Sequence, residues 1–270
     1  SYGIFESLNL IAPRIQGGGS SEDLGSDYGI YDFLIKNGVG VDQASQFSKN
    51  VPTYWGDQPI LEAPAYIGIT VFFFALFGFF FTKGPLRNSL LLGTLFSLLL
   101  SWGKNMPLIT DLLIDYFPFY NKFRAVSSIQ VVLELCLPIS ASIGLYNLFY
   151  KEKKFDFKRF IKIAVIPIIL LVIIFLSKGM LSFSGLNDSY LREIYGSDLF
   201  SQIKEARVSV FQADILRGIL FCAVLIIIIN LYEFNRIKRG LALGFVIFIL
   251  SLDLLSIANR YVDRGAFVSN

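Results

Sequence analysis

The chain has 270 residues, of which 54% are hydrophobic and 17% are charged, and its mean hydropathy is +0.59. Soluble domains carry about 45–50% apolar and about 25% charged residues, so this composition excludes an ordinary soluble domain and indicates an integral membrane protein. The net charge of +3 and the lack of any histidine exclude a strongly basic nucleic-acid binder, His-dependent catalytic triads and His-ligated metals. Both cysteines, Cys136 and Cys222, lie in apolar runs, so no disulfide framework or thiolate metal site is predicted.

The first segment, residues 1–65, is polar, glycine-rich and aromatic. Turn-forming glycines at 17–19 precede two predicted short helices, at 27–37 and 41–49. The aromatic content is too high for a disordered linker, so we expect an ordered helical and loop cap on the membrane surface. A passive interfacial aromatic belt is the alternative, and it does not explain the glycine- and acid-rich stretch.

Six apolar runs follow, each close to the roughly 20 residues that a membrane-spanning helix needs. They predict an all-α polytopic transmembrane helix bundle within residues 66–257, with spans at 66–82, 88–102, 125–150, 160–177, 213–234 and 240–257. The connections after the first, third and fifth spans are short and basic, which places them on the cytoplasmic side.

The long segments 1–65, 103–124 and 178–212 then face outwards, and residues 258–270 begin another outward segment. Both ends of the chain are therefore expected on the outer side. Because Ser1 follows no signal sequence, we expect an entry helix before it and a longer parent protein.

The outward segment 103–124 contains an amphipathic stretch, at 107–118, that predicts a helix lying in the membrane interface. Lys104 precedes this stretch, and Lys122 and Arg124 follow it at the outer end of the third span. Cations at the depth of the lipid headgroups can bind a phosphate, Arg as a planar fork and Lys as a point charge. The alternative is that these side chains only anchor helix ends.

Three acidic side chains are further candidates. Glu134 lies about nine residues into the third span, where a carboxylate is functional or, when protonated, hydrogen-bonds a neighbouring helix. Asp57 and Glu62 precede the first span among glycine and proline residues, where an acid can act as a general base. Capping of the following helix is the alternative for these two, and base rates favour it.

Smaller patterns lie inside the last two spans. Asp214 and Arg217 are three residues apart, which predicts a local ion pair. Asp253 lies near the outer end of its span and needs no special role. Gly240 and Gly244 have the spacing of a weak close-packing face.

Five motifs carry a resemblance to a known family. They are Ser1-Tyr2-Gly3-x-x-Glu6-x-Leu8-x-Leu10-x-x-Pro13 with Gly17-Gly18; Tyr54-Trp55-Gly56-Asp57-Gln58-Pro59 with Pro64-x-Tyr66-x-Gly68; Trp102-Gly103-Lys104-Asn105; Pro118-x-Tyr120-Asn121-Lys122-Phe123-Arg124-Ala125-Val126-Ser127-Ser128; and Asn259-Arg260-Tyr261. Together they resemble the bacterial membrane protein YfhO family, particularly its Bacteroidetes-type members. That family is similar to the GT-C glycosyltransferases, which take sugars from polyprenyl-phosphate donors on the outer side of the membrane.

The resemblance implies an integral membrane glycosyltransferase of the bacterial inner membrane, whose partners are a polyprenyl-phosphate-linked sugar and an envelope polymer or glycan acceptor. In the GT-C class an essential acid usually lies in the first outward loop, which would precede Ser1. The candidates in this chain are Asp57, Glu6 and Glu62 for catalysis, and Arg124, Lys122 and Lys104 for the lipid phosphate. No cofactor and no metal-ligand set are predicted, and nothing in the sequence supports a divalent metal.

Two other functions fit the composition. A lipid or solute transporter would use Glu134, but the two halves show no inverted repeat, and the remaining spans are almost entirely Leu, Ile, Phe and Val. A non-enzymatic scaffold of envelope assembly would need no cations at headgroup depth.

Overall fold

The computed structural model describes residues 1–122, 125–150 and 156–262. Within these residues the fold is all-helical, and the one pairing of extended backbone is an antiparallel bridge between Glu22 and Val51. The described α-helices are α1 Ile30–Lys36, α2 Val41–Ser48, α3 Ile69–Phe81, α4 Pro85–Ser101, α5 Pro107–Tyr116, α6 Gln130–Phe149, α7 Phe157–Leu176, α8 Asp188–Glu233 and α9 Arg239–Tyr261.

Four helical segments have the length and composition to cross a membrane: Val126–Phe149, Phe157–Met180, Asp188–Glu233 and Arg239–Tyr261. They contain α6, α7, α8 and α9, and they confirm the membrane prediction for these four of the six predicted spans. The other two helices are shorter, with 13 residues in α3 and 17 in α4. At 1.5 Å per residue they measure about 20 Å and about 26 Å, against a hydrocarbon core of about 30 Å.

Local sequence explains where several helices begin. Pro85 and Pro107 stand in the first turn of α4 and α5, where a missing N–H leaves no hydrogen bond unmade. The Asp156 carboxylate accepts a hydrogen bond from the Arg159 backbone N–H and so caps α7. The helix predicted at 107–118 is confirmed as α5, which has no buried residue.

The closest helix pair is α3 with α6. A methyl group added to Gly78 of α3 would lie 2.0 Å from a backbone carbonyl oxygen of α6, and one added to Gly144 of α6 would lie 2.1 Å from a carbonyl oxygen of α3. The two backbones therefore touch, as small residues allow in membrane helix packing. Gly240 and Gly244, the weak close-packing face of the sequence, pack against none of the described residues, because a methyl group there would meet no atom within 4 Å.

The interior of the helix bundle is apolar. Phe73 and Phe77 of α3 are fully buried in one hydrophobic core with Phe160 of α7 and Cys222 of α8. The same core includes residues of α6 and α9. Phe77 and Phe160 stack with their ring centroids 5.4 Å apart.

Residues 1–65, called the cap below, form an ordered unit, as the sequence predicts. Its helices α1 and α2 lie within the predicted ranges and pack on α8 through a second hydrophobic core. This core joins Ile30 and Ala44 of the cap to Ile203, Ala206 and Val210 of α8. The cap is therefore attached to a helix that continues into the membrane bundle.

The outward segment predicted at 178–212 is not a loop over most of its length. Helix α8 begins at Asp188 and continues to Glu233, with non-helical backbone angles inside it only at Gly196 (φ 77°, ψ 166°). The polar composition of this stretch hides an apolar stripe at 203, 206 and 210, which has helical spacing and is buried against the cap.

Candidate functional site

Tyr2 joins the cap to the end of α4 and to the turn that follows it. Its backbone N–H donates to the Ser101 carbonyl oxygen at 3.0 Å, and the Asn105 side-chain amide donates to the Tyr2 carbonyl oxygen at 2.7 Å. Its hydroxyl accepts a hydrogen bond from the Ala65 backbone N–H at 3.2 Å. Burial raises the pKa of Tyr2 to about 12, so its phenol stays neutral.

Glu6 lies in a 3-10 turn, Phe5–Leu10, and its side chain is fully buried. It accepts hydrogen bonds from the Gly3 backbone N–H at 2.6 Å and from the Tyr54 hydroxyl. The Tyr54 oxygen in turn accepts from the Gln58 backbone N–H at 2.9 Å. Burial, and then the hydrogen bond to Glu6, raises the pKa of Tyr54. Glu6 therefore has the partners that a buried carboxylate requires, and it holds Gly3 and Tyr54 in place.

Asp57 is exposed and lies beside Gly3, the glycine that donates to Glu6. A methyl group added to Gly3 would lie 2.5 Å from Oδ2 of Asp57 and 3.2 Å from Oε2 of Glu6. The structure thus brings together two of the three predicted acids, one facing solvent and one buried behind it. We call Gly3, Glu6, Tyr54 and Asp57 the carboxylate cluster.

Glu62, the third predicted acid, is exposed, and the residue before it is hydrogen-bonded to Ser20. The Ser20 backbone N–H donates to the Leu61 carbonyl oxygen at 2.6 Å, and the Leu61 N–H donates to the Ser20 hydroxyl at 2.9 Å. Across the described part of the chain, Glu62 forms no ion pair or hydrogen bond with the carboxylate cluster.

The predicted cations lie beyond the ends of α4 and α5. Lys104 is exposed, and its backbone N–H donates to the Ser1 hydroxyl at 3.2 Å, so its turn lies against the start of the cap. Lys122 is exposed in the 3-10 turn Tyr120–Lys122. Neither lysine forms an ion pair with a described residue. Arg124 lies outside the described residues.

Glu134 is exposed on α6, four residues after the helix begins. Four residues earlier, the Gln130 side chain donates to the Ser101 hydroxyl at 3.4 Å. The hydrogen bond to a neighbouring helix, one of two roles predicted for Glu134, is not found among the described residues.

Sequence reasoning missed an ionic network between the cap and the bundle, which we call the Asp214 network. Arg14 donates to Asp214 through Nε at 3.1 Å and Nη2 at 2.9 Å, and Arg260 of α9 donates to the same carboxylate at 3.0 Å. The predicted ion pair between Asp214 and Arg217 is wrong. Burial alone would lower the pKa of Arg14, but the Asp214 carboxylate outweighs burial and raises it.

Glu22 extends the Asp214 network within the cap. It accepts hydrogen bonds from the Gly19 backbone N–H at 2.9 Å and the Tyr261 hydroxyl at 3.2 Å, and Arg14 lies 3.8 Å away. Burial raises the pKa of Glu22, and these partners offset the effect only in part. The cap is therefore anchored to the middle of α8 and to the end of α9.

Asp253 has a larger role than its sequence position suggested. It is fully buried, and it accepts hydrogen bonds from the Tyr66 hydroxyl at 2.5 Å and the Thr70 backbone N–H at 3.0 Å. Arg217 pairs with it at 3.4 Å. The carboxylate thus ties α9 to α3 and α8, and the sequence signal for it was a charge inside an apolar run.

The arrangement combines an exposed carboxylate, Asp57, with two exposed lysines that have no ion-pair partner among the described residues. A carboxylate can accept a proton from a hydroxyl group, and lysines can bind a phosphate. Among the described residues, no three Asp, Glu or Cys side chains are placed to hold a metal ion.

No protein-family model, curated protein or solved structure matches this chain. Its function must therefore be argued from the geometry of the site.

Proposed function

We propose that this chain carries the outer-face site of an integral membrane glycosyltransferase, similar to the GT-C class and the YfhO family. The enzyme transfers a sugar from a polyprenyl-phosphate carrier to a cell-envelope acceptor at the outer face of a bacterial inner membrane. In this proposal α3 and α4 also cross the bilayer, which gives six spans with the cap on the outer side. The observation that supports the proposal is the carboxylate cluster, in which Asp57 is exposed and lies beside Gly3.

Asp57 is the general base in this mechanism. It takes the proton of the acceptor hydroxyl as that oxygen attacks the anomeric carbon of the sugar, and the bond from this carbon to the carrier phosphate breaks. The buried Glu6 does not meet the substrate. It acts as a positioning residue, because it fixes Gly3 and Tyr54 behind Asp57.

Lys104 and Lys122, with the sequence-predicted Arg124, stabilise the negative charge on the departing polyprenyl phosphate. Support comes from the exposure of the two lysines and from the contact between the Lys104 turn and Ser1, two residues before Gly3. A cation placed there can reach a phosphate whose sugar lies at Asp57.

The apolar interior of the bundle favours surface chemistry over vectorial transport. Transport needs polar groups along a path through the membrane. In the described residues the bundle centre is filled by aromatic and aliphatic side chains such as Phe73, Phe77 and Leu171. The buried charges Asp214 and Asp253 are already paired with arginines.

The test is sugar transfer by the purified full chain in nanodiscs with radiolabelled polyprenyl-phosphate sugars and envelope extract. Asp57→Asn is isosteric and removes the base, so transfer should fall about 10²–10⁴-fold. Asp42→Asn removes an exposed carboxylate from α2 and serves as the matched control.

Full turnover by Asp57→Asn would show that the base lies elsewhere. If no donor supports transfer by the full chain, and Lys104→Ala with Lys122→Ala leaves lipid binding unchanged, the glycosyltransferase proposal fails and a scaffold becomes the better explanation.

A further inference from the structure

Helix α6 has one face that the other described helices leave exposed. Val131, Glu134, Leu135 and Pro138 are all exposed, and their spacing of i, i+3, i+4 and i+7 places them on one side of the helix. Val131 and Leu135 are 64% and 62% exposed. The other side of α6 packs against α3 through Gly144. We call the four exposed residues the free face of α6.

Glu134 is an acidic residue within a segment that can cross a membrane. It lies eight residues after Val126, where the segment Val126–Phe149 begins, which is about 12 Å along the helix axis. The whole segment measures about 36 Å, so a hydrocarbon core of about 30 Å begins about 3 Å inside its end. Glu134 is therefore placed about 9 Å inside the hydrocarbon.

The Glu134 carboxylate has no hydrogen bond and no ion pair with any residue that the structure describes. Lipid chains offer neither a proton donor nor a cation at this depth. An acidic side chain inside a membrane is costly, and it is normally paired with another polar or charged group. The partner of this carboxylate therefore has to come from outside the described chain.

A second copy of this chain does not offer the cation that Glu134 needs. Two copies joined through this face by a two-fold axis would place two Glu134 carboxylates together. Arg217, inside α8, is already paired with Asp253. Lys162 is exposed on α7, but it lies five residues after that helix begins, near the end of the membrane where α6 finishes.

We propose that the free face of α6 binds a partner transmembrane helix that places one lysine or arginine at the depth of Glu134. Apolar side chains of this helix pack against Val131 and Leu135, and its cation pairs with the Glu134 carboxylate. Polar contacts of this kind hold helices together in lipid, where apolar surface alone gives little preference for protein over lipid. The interaction does not depend on glycosyltransferase activity.

The test uses the full chain in phosphatidylcholine vesicles, with synthetic transmembrane peptides in the place of the partner helix. Each peptide is a leucine–alanine helix of about 22 residues. One carries a lysine about eight residues from its N-terminus, a second carries it at the same distance from its C-terminus, and a third has no lysine. Energy transfer between labels on the chain and the peptide measures binding. One lysine peptide, according to the orientation of the partner, should need about tenfold less peptide for half-maximal binding than the neutral peptide.

Substitutions at Glu134 test the ion pair in a folded protein, because this side chain is exposed. Glu134→Gln keeps the size of the side chain and removes its charge, so the preference for the lysine peptide should disappear. Glu134→Lys should instead prefer a peptide with a glutamate at the same position. Glu193→Gln removes an exposed glutamate from the polar part of α8 and should leave the preference unchanged.

Equal binding of the lysine and neutral peptides would overturn the proposal, as would an unchanged preference in Glu134→Gln. Photo-leucine placed beside the peptide lysine should cross-link to Val131 or Leu135, and cross-links confined to another helix would also overturn it. Dimers of the full chain that form without peptide and are lost in Glu134→Leu would show that a second copy covers this face instead. Sugar transfer is not measured here, so the outcome is independent of the proposed enzymatic activity.

Discussion

Replacing Asp214 by alanine should release the cap from the membrane bundle. The carboxylate accepts two hydrogen bonds from Arg14, whose side chain is 5% exposed, and it is itself 1% exposed. Its loss leaves the Arg14 charge buried without its main partner, and breaking a buried ion pair in this way costs about 3–5 kcal/mol. Arg260 is 28% exposed and regains water, so it adds little to this loss.

The opening of the cap can be measured by hydrogen–deuterium exchange at two backbone amides. One amide bonds within the cap, and the other joins the cap to the residues just before α3. The Trp55 N–H donates to the Gln16 carbonyl oxygen at 3.0 Å, and the Ile67 N–H donates to that of Leu10 at 3.1 Å. A loss of about 3–5 kcal/mol corresponds to opening that is about 10²–10⁴-fold more frequent. Asp115→Ala, which removes an exposed carboxylate of α5, is the control.

A double variant separates the ion pair from other effects of the substitution. Arg14→Met with Asp214→Ala leaves no unpaired buried arginine, so its loss should be smaller than the sum of the single losses by about 1.5–3 kcal/mol. Exchange that rises less than about fivefold in Asp214→Ala, or additive losses in the double variant, would refute the reasoning.

Three further variants test other parts of the structure. Gly3→Ala places a methyl group 2.5 Å from Oδ2 of Asp57 and should reduce sugar transfer by roughly 10–100-fold, whereas Gly40→Ala, with open space around it, should not. Gly144→Ala should lower the free energy of unfolding, measured by thermal or chemical unfolding, by about 1–3 kcal/mol. If this variant is as stable as the control Gly40→Ala, the contact between α3 and α6 is excluded. Burial raises the pKa of Glu22, so the folded protein binds the Glu22 proton more tightly than the unfolded chain does. The free energy of unfolding should therefore fall as the pH rises from the ordinary carboxyl pKa through the raised pKa of Glu22. Glu22→Gln should flatten that part of the melting-temperature profile, and an unchanged profile would contradict the assignment.

Hydropathy and turn patterns predict much of this fold because they report local properties. The cap helices, helix α5 and the four helices long and apolar enough to cross a membrane follow from apolar periodicity and from proline and glycine positions. The same reasoning wrongly predicted a loop for residues 188–212, which are helical. Polar residues in this part of α8 outnumber the three apolar residues, at 203, 206 and 210, that pack against the cap.

The sequence predicts contacts in the site only between residues that are close together in the chain. Contacts between distant residues could not be predicted. Asp57 and Glu6 were chosen for their residue type, and their approach at Gly3 depends on how the cap folds. Asp214 was assigned to Arg217 because the two share a helix face. Its actual partner, Arg14, is 200 residues away, and no local pattern indicates such a pair.

The length of α8 gives the molecule a mechanical property. After Gly196 the helix runs without interruption to Glu233, which at 1.5 Å per residue is about 55 Å. This exceeds the thickness of the bilayer core, so one rod passes from the far end of the bundle to the core of the cap. A change in the tilt of α8, caused by a change in bilayer thickness or by contact with a neighbouring helix, would therefore change the position of the cap.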